Sequence, residues 1–238
     1  LFILYALFGS HFTGYFATTN FSFRRIVTTL FVSQDGMFGS NLMIPARFLF
    51  LFLLFGSVMG ITGAGQFFVD LANGLVGRVR GGPAQAAVYS SMLMGMVSGS
   101  GPANVATTGT FTIPLMKKTG YRAADAGAVE AVASAGGMFM PPVMGQAAFL
   151  MSQMTGIEYG VIAAAAALPA TLYYLCLSAV LYFVARRDRF PKPDKSTLPK
   201  VSATLKGRWY YCAPLMTIIY FIFNNYSPQR SVFYAIIV

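Results

Sequence analysis

The chain has 238 residues, 56% of them hydrophobic and 10% charged, with 17 Lys and Arg against 7 Asp and Glu. Soluble domains carry roughly 25% charged residues, so charges this sparse leave too much apolar surface uncovered for a soluble fold and exclude disorder as well. Glycine has no three-residue period, and Cys176 and Cys212 lie in apolar stretches, which leaves an integral membrane protein.

Stretches free of Asp, Glu, Lys and Arg mark candidate spans, since a spanning helix needs about 20 apolar residues. The first is Leu1–Phe23, whose apolar opening, Leu1–Phe8, lacks the basic start and small-residue cleavage site of a signal peptide. With Val238 inside an apolar run, the sequence reads as a piece of a longer one. Arg24, Arg25, Gln34 and Asp35 surround a short stretch that predicts an amphipathic helix on the membrane surface, completing an N-terminal segment over 1–47. Phe48–Val69 predicts an inward-going helix with a connector to residue 80, and Asp70 is expected to pair with Arg78 or Arg80.

Gly81–Met116 is too long for one span and suits two short ones. Ser98-Gly99-Ser100-Gly101-Pro102 interrupts its middle. Arg78 and Arg80 precede it and Lys117, Lys118 and Arg122 follow it, so the positive-inside bias puts both ends at the cytoplasmic face. Residues 81–118 therefore read as a re-entrant hairpin with its tip inside the membrane. Residues 119–158 read as a second interrupted span, broken at Gly136-Gly137-Met138-Phe139-Met140-Pro141-Pro142, because tandem Pro removes donors and clashes with the preceding turn. Tyr159–Ala185 returns to a loop over 186–208 carrying Arg186, Arg187, Arg189, Lys192, Lys195, Lys200, Lys206 and Arg208. Flanked by apolar runs, that loop reads as cytoplasmic rather than as a nucleic-acid site. Residues 209–238 predict a further span and the start of another, with Trp209, Tyr210 and Tyr211 at an interfacial belt.

Unwound backbone in hydrocarbon costs several kcal/mol per unpaired group, so two consecutive breaks are expected to cover each other. The first hairpin arm ends near Ser98 with its carbonyls at the tip. The second starts at Pro102 with Gly101 as cap, presenting free amides. The same polarity recurs at Gly136–Pro142. Carbonyl ends suit a small hard cation such as Na⁺ and amide ends a carboxylate, the logic of broken-helix secondary transporters. Glycine and proline that merely kink packed helices are the alternative, weighed against the polar set Ser98, Ser100, Asn104, Thr107 and Thr108 beside the first break. Glu130 falls roughly 12 Å past Arg122 along a helix and shares a face with Ser134. An acid at that depth is read as functional by default, either tuning the ion site or accepting a proton, with a structural partner as the alternative. Asp125 is expected to serve as a first-turn charge or to pair with Arg122. His11, the sole histidine, has no acid, Cys or His nearby and reads as satisfied or interfacial.

The run SGSGPANVATTGTFTIPLMKKTGYRAADAGAVEAVASAGGMFMPPVMGQAAFLM, Ser98 to Met151, resembles the large membrane subunit of tripartite ATP-independent periplasmic (TRAP) transporters, in particular the TAXI subgroup, often a fused permease. The likeness extends upstream through GAGQFFVDLANGLVGRVRGGPA, Gly63 to Ala84. The subgroup's tip reads SGS, two variable residues, then Ala-Asn-Val, here Ala103-Asn104-Val105 after Gly101-Pro102. The resemblance implies an all-α membrane fold of the elevator type, with two inverted repeats of which this chain covers about one. It implies Na⁺ bound mainly by backbone carbonyls at Ser98, Gly99, Ser100 and Asn104 and at Gly136, Gly137, Met138 and Pro141. Asn104, Thr107 and Thr108 would line the substrate cavity, and H⁺ is the alternative coupling ion, at Glu130. It also implies a periplasmic solute-binding protein, a small membrane subunit or fused equivalent, a bacterial or archaeal inner membrane, and a dicarboxylate, 2-oxoglutarate or glutamate as cargo. No cofactor is implied, nor any metal beyond Na⁺.

Two other classes stand beside this reading. A membrane-embedded hydrolase would use Ser98 or Ser100 as nucleophile but lacks a base. A channel or scaffold would also use hairpins. No G-x-x-x-x-G-K-[ST] loop is present, so transport would draw on an ion gradient rather than ATP.

Overall fold

The computed structural model describes residues 2–33, 36–39, 42, 43, 46, 50–190, 198–224 and 226–238. Gln34, Asp35, Lys192 and Lys195 lie outside the described residues. Regular structure among the described residues is helical, and the chain divides into two units, Leu1–Arg47 and Phe48–Val238.

In the first unit, α1 (Phe2–Phe8) gives way to 3₁₀ turns at Gly9–His11 and Gly14–Phe16. The uncharged stretch Leu1–Phe23 is therefore not one rod. Gly14 takes φ +70°, and the chain doubles back so that the Phe21 amide donates to Ala6 O at 3.1 Å. His11 sits edge-on to Phe8, its Nδ1 3.3 Å from Phe8 O. The amphipathic α2 (Phe23–Phe31) is capped by Ser22, whose hydroxyl accepts from the Arg25 amide at 3.3 Å, and buries Ile26.

The second unit begins with α3 (Phe50–Ile61) and α4 (Ala64–Val76), bent by 70°. A single inward helix over Phe48–Val69 does not form, because Gly63 adopts φ +95° and the Tyr211 hydroxyl donates to Thr62 O at the bend. Tyr211 is thereby buried against Phe67 while Trp209 and Tyr210 stay exposed, so only those two remain for an interfacial belt. Asp70 pairs with Arg208 at 3.2 Å and accepts from Gln66 at 2.7 Å, not with Arg78 or Arg80.

Next come α5 (Gly82–Ser98) and α6 (Gly101–Lys118), a tight antiparallel hairpin, then α7 (Ala123–Gly136), α8 (Gln146–Thr155) and the 29-residue α9 (Tyr159–Arg187). α10 (Val201–Arg208), α11 (Ala213–Phe223) and α12 (Pro228–Ile237) complete the unit. The core between α5, α6, α7 and α9 is lined by small residues, including Ala84, Ala87, Ala126 and Ala133, with Met116 and Tyr174 filling the gaps. Small side chains let apolar helices approach closely. Among the described residues, α9 is the one helix long and apolar enough to cross a membrane, with the bent pair α3–α4 a second candidate. Leu168, Leu172, Leu175, Val180 and Phe183 of α9 remain exposed.

Candidate functional site

The structure brings the two breaks together. A Cβ on Gly95 would stand 2.6 Å from Gly137 Cα, and one on Gly101 3.5 Å from Met138 Sδ. Gly99, at φ +59°, rests against the carbonyl of Met144, which is itself left-handed at φ 60°. Non-glycine residues rarely adopt that conformation. From the other side, a Cβ on Gly145 would lie 3.2 Å from Met138 O and 3.3 Å from Gly99 O. Glycine is needed at 95 and 99 because main chain meets main chain there.

Helix ends supply the polarity. The α6 cap is Ser100, one residue before the expected Gly101, because its hydroxyl accepts the Ala103 amide at 3.5 Å while Pro102 occupies the first turn. Ser98 Oγ lies 3.4 Å from both Ser100 N and Ser100 O. At the end of α7 the carbonyls of Ser134, Ala135 and Gly136 accept from the amides of Gly137, Met138 and Phe139. Tyrosines of α9 take four more carbonyls on either side of the break. Tyr174 donates to Ala133 O at 2.9 Å, Tyr173 to Val132 O at 2.7 Å, and Tyr159 to Pro142 O at 3.0 Å and to Val143 O. Met138 O accepts from Gly145 N at 2.5 Å. Among the described residues, the carbonyls of Ser98, Gly99, Gly137, Pro141 and Met144 receive no hydrogen bond. Of the residues expected to meet a cation, Ser100, Asn104, Gly136 and Met138 have carbonyls that already accept a hydrogen bond, and the Met144 carbonyl against Gly99 is one that the sequence did not single out.

Beneath the tip, Glu130 is fully buried. Its Oε1 accepts from Ser91 at 2.7 Å, Thr108 at 2.5 Å and Ser134 at 3.2 Å, and its Oε2 from Thr112 at 2.6 Å. Hydroxyls of α5, α6 and α7 therefore meet on one carboxylate, and no cation pairs with it among the described residues. Burying a bare carboxylate is costly, and hydrogen bonds to a charged group, worth about 1.5–3 kcal/mol each, offset that cost. Asn104 is also fully buried and donates to Ser91 O at 2.7 Å.

A cleft of about 350 Å³ opens between α3 and the hairpin, lined by Ser57, Ile61, Met94, Ser98, Ala103 and Thr107 among others. Thr107 and Ser98 face it. Asn104 and Thr108 do not, because their side chains turn inward to Ser91 and Glu130. Asp125 forms a two-pronged pair with Arg122 at 2.7 and 2.9 Å, and hydrogen bonding from that guanidinium raises Arg122 above its ordinary value. Among the described residues no cluster of His, Cys, Asp and Glu has the makings of a metal centre.

A helical hairpin thus sits on an interrupted helix, with unbonded carbonyls at the seam among the described residues, and the family that matches it is one of transporters, not of enzymes. The chain belongs to the family described as Tripartite ATP-independent periplasmic transporter, DctM component, which it matches over residues 1–238. It is 33% identical over 159 residues to the C4-dicarboxylate TRAP transporter large permease protein of Pseudomonas aeruginosa, covering 66% of this chain and 37% of that protein. The isethionate TRAP transporter permease protein of Oleidesulfovibrio alaskensis is 28% identical over 169 residues, covering 70% of this chain and 26% of that one. The sialic acid TRAP transporter permease protein of Haemophilus influenzae is 26% identical over 193 residues, covering 77% and 30%. The chain therefore spans between about a quarter and two fifths of the length of these relatives.

Proposed function

We propose that the chain is part of the permease of a secondary transporter in a bacterial or archaeal inner membrane, crossing it several times. A Na⁺ gradient drives uptake of a small organic anion delivered by a periplasmic binding protein. A small membrane subunit, or a fused equivalent, completes the assembly. The observation that carries this reading is the seam itself, where the hairpin tip and the interrupted helix meet main chain to main chain with the carbonyls of Ser98, Gly99, Gly137, Pro141 and Met144 unbonded. Carbonyl oxygens at helix ends are hard, partly negative ligands suited to Na⁺. The hairpin is read as re-entrant and the motion as elevator-like. The tip Ser98-Gly99-Ser100 followed by Ala103-Asn104-Val105 favours the TAXI subgroup.

Relatives named for C4-dicarboxylate, isethionate and sialic acid share an acidic cargo, which supports an organic acid here, with a dicarboxylate, 2-oxoglutarate or glutamate as the leading class. Thr107 and Ser98 form the cargo's wall on this side, and Asn104 and Thr108 act by holding the hairpin's shape. The test is counterflow and uptake by the full-length protein in vesicles with an imposed Na⁺ gradient. Saturable, Na⁺-coupled uptake that is lost in Ser98→Ala and Gly99→Val supports the reading. Unsaturable flux with no ion coupling, as in a channel, overturns it.

Coupling to H⁺ is a second reading, favoured by the fully buried Glu130 with its ring of hydroxyls and no cation. Under it, Glu130→Gln abolishes the dependence of uptake on a proton gradient. Under Na⁺ coupling, that variant keeps its Na⁺ dependence.

A further inference from the structure

At the end of α9 far from Tyr159, three arginines share one open cleft of about 430 Å³. Arg78 and Arg80 come from the turn after α4, Arg186 from the last turn of α9, and Val79 and Tyr182 complete the lining. Packing, not chance proximity, holds them there. Gly81, at φ +71°, sits so close to α9 that a Cβ would stand 2.6 Å from that of Ala185 and 2.8 Å from the Tyr121 hydroxyl. One turn on, Gln85 Nε2 donates to Ser178 O at 2.7 Å. Both walls of the cleft are therefore fixed relative to each other.

Among the described residues the three guanidinium groups have no acid partner, since the ion pairs there are Arg122–Asp125, Arg187–Asp188 and Arg208–Asp70 and those carboxylates are already taken. Cations gathered without a counter-ion repel one another, and an anion presenting several oxygens relieves that repulsion. The planar fork of Arg matches a phosphate group best. Above the cleft, the outer face of α9 exposes Leu172, Leu175, Val180 and Phe183, with Tyr182 at the rim. Apolar side chains leading to an aromatic and then to arginines follow the order of a lipid's acyl chain, its interface and its headgroup. The positive-inside bias puts this end at the cytoplasmic face.

We infer that this cleft binds a phosphate group, and that its source is the headgroup of an anionic phospholipid of the cytoplasmic leaflet, with the acyl chains along α9. The inference rests on membrane placement and not on the coupling ion, so its failure leaves the transport reading standing.

The experiment measures phospholipid retained by the full-length protein in mild detergent, by native mass spectrometry, after equilibration with mixed phosphatidylglycerol and phosphatidylethanolamine vesicles. One phosphatidylglycerol per chain is expected. Each of Arg78→Gln, Arg80→Gln and Arg186→Gln is expected to lower its occupancy constant about five-fold, and the three together about a hundredfold. Arg187→Gln, whose side chain is engaged by Asp188, serves as the control and leaves it unchanged. All four side chains are exposed, and the melting temperature in detergent shows that the variants remain folded. Lipid retention indifferent to the three substitutions overturns the site. Inorganic phosphate that displaces the lipid at millimolar concentration overturns the lipid as its source.

Discussion

The seam between the hairpin and the interrupted helix is made of main chain, whereas the Glu130 cluster just beneath it is made of side chains. At the seam, Gly95, Gly99, Gly137 and Gly145 bring backbones into contact, leaving little room for an added side chain. At the cluster, four hydroxyls converge on one carboxylate. The first arrangement is intolerant of added atoms and the second of removed ones, and that asymmetry sets what substitution does at each.

The largest effect is expected at the seam. In Gly95→Ala the new methyl meets the Gly137 backbone at 2.6 Å, which no rotamer change relieves. Overpacking of this kind costs roughly 3 kcal/mol, about 6–12 °C in melting temperature, and Na⁺-dependent uptake should disappear with it. Unchanged thermal unfolding in detergent would break the contrast. Next comes Glu130→Leu. Thr108 and Thr112 can turn back to Asn104 O at 2.9 Å and Thr108 O at 3.1 Å, and Ser91 can turn to Thr108 Oγ1 at 3.1 Å, but Ser134 loses its acceptor. One stranded buried hydroxyl costs about 2 kcal/mol. Glu130→Gln keeps an accepting oxygen and should cost about half as much, so equal losses in the two variants would show that charge, not hydrogen bonding, holds the cluster.

Tyr174→Phe removes the donor to Ala133 O and is expected to cost about 1 kcal/mol, with faster amide exchange at the end of α7 as its sharper readout. The smallest effect is expected at the surface. Hydrogen bonding from Arg187 holds the Asp188 carboxyl below the ordinary carboxylate range. A depressed folded value gives stability that is present above the unfolded value near pH 4 and lost as pH falls through the folded one. Because the pair is exposed, water and salt screen it, and Asp188→Asn should leave melting at pH 7 within error while flattening its decline in acid.

Both interruptions were legible in the sequence because glycine and proline act locally. Ser98-Gly99-Ser100-Gly101-Pro102 and Gly136 to Pro142 cannot continue a helix whatever surrounds them, and the four-residue spacing of Glu130 and Ser134 needs no tertiary knowledge. What stayed hidden depends on partners far along the chain. Tyr173 and Tyr174 cap carbonyls 41 residues away, Arg208 reaches Asp70 across 138, and Tyr211 holds the bend at Thr62 across 149. The bend itself carries no charge or proline to betray it, only Gly63. Thr107 and Thr108 are adjacent in sequence yet part company, one to the cleft and one to Glu130, because helix rotation, not composition, decides which hydroxyl turns inward.

The phenols of Tyr159, Tyr173 and Tyr174 on α9 also have a mechanical meaning. They grip the chain on both sides of the interruption, at Val132 and Ala133 before it and at Pro142 and Val143 after it. Sliding the long rod past its neighbour would strip several carbonyls of their donors in one stroke. Rod and interrupted segment are thus riveted into a single rigid body, and whatever displacement one undergoes the other must share.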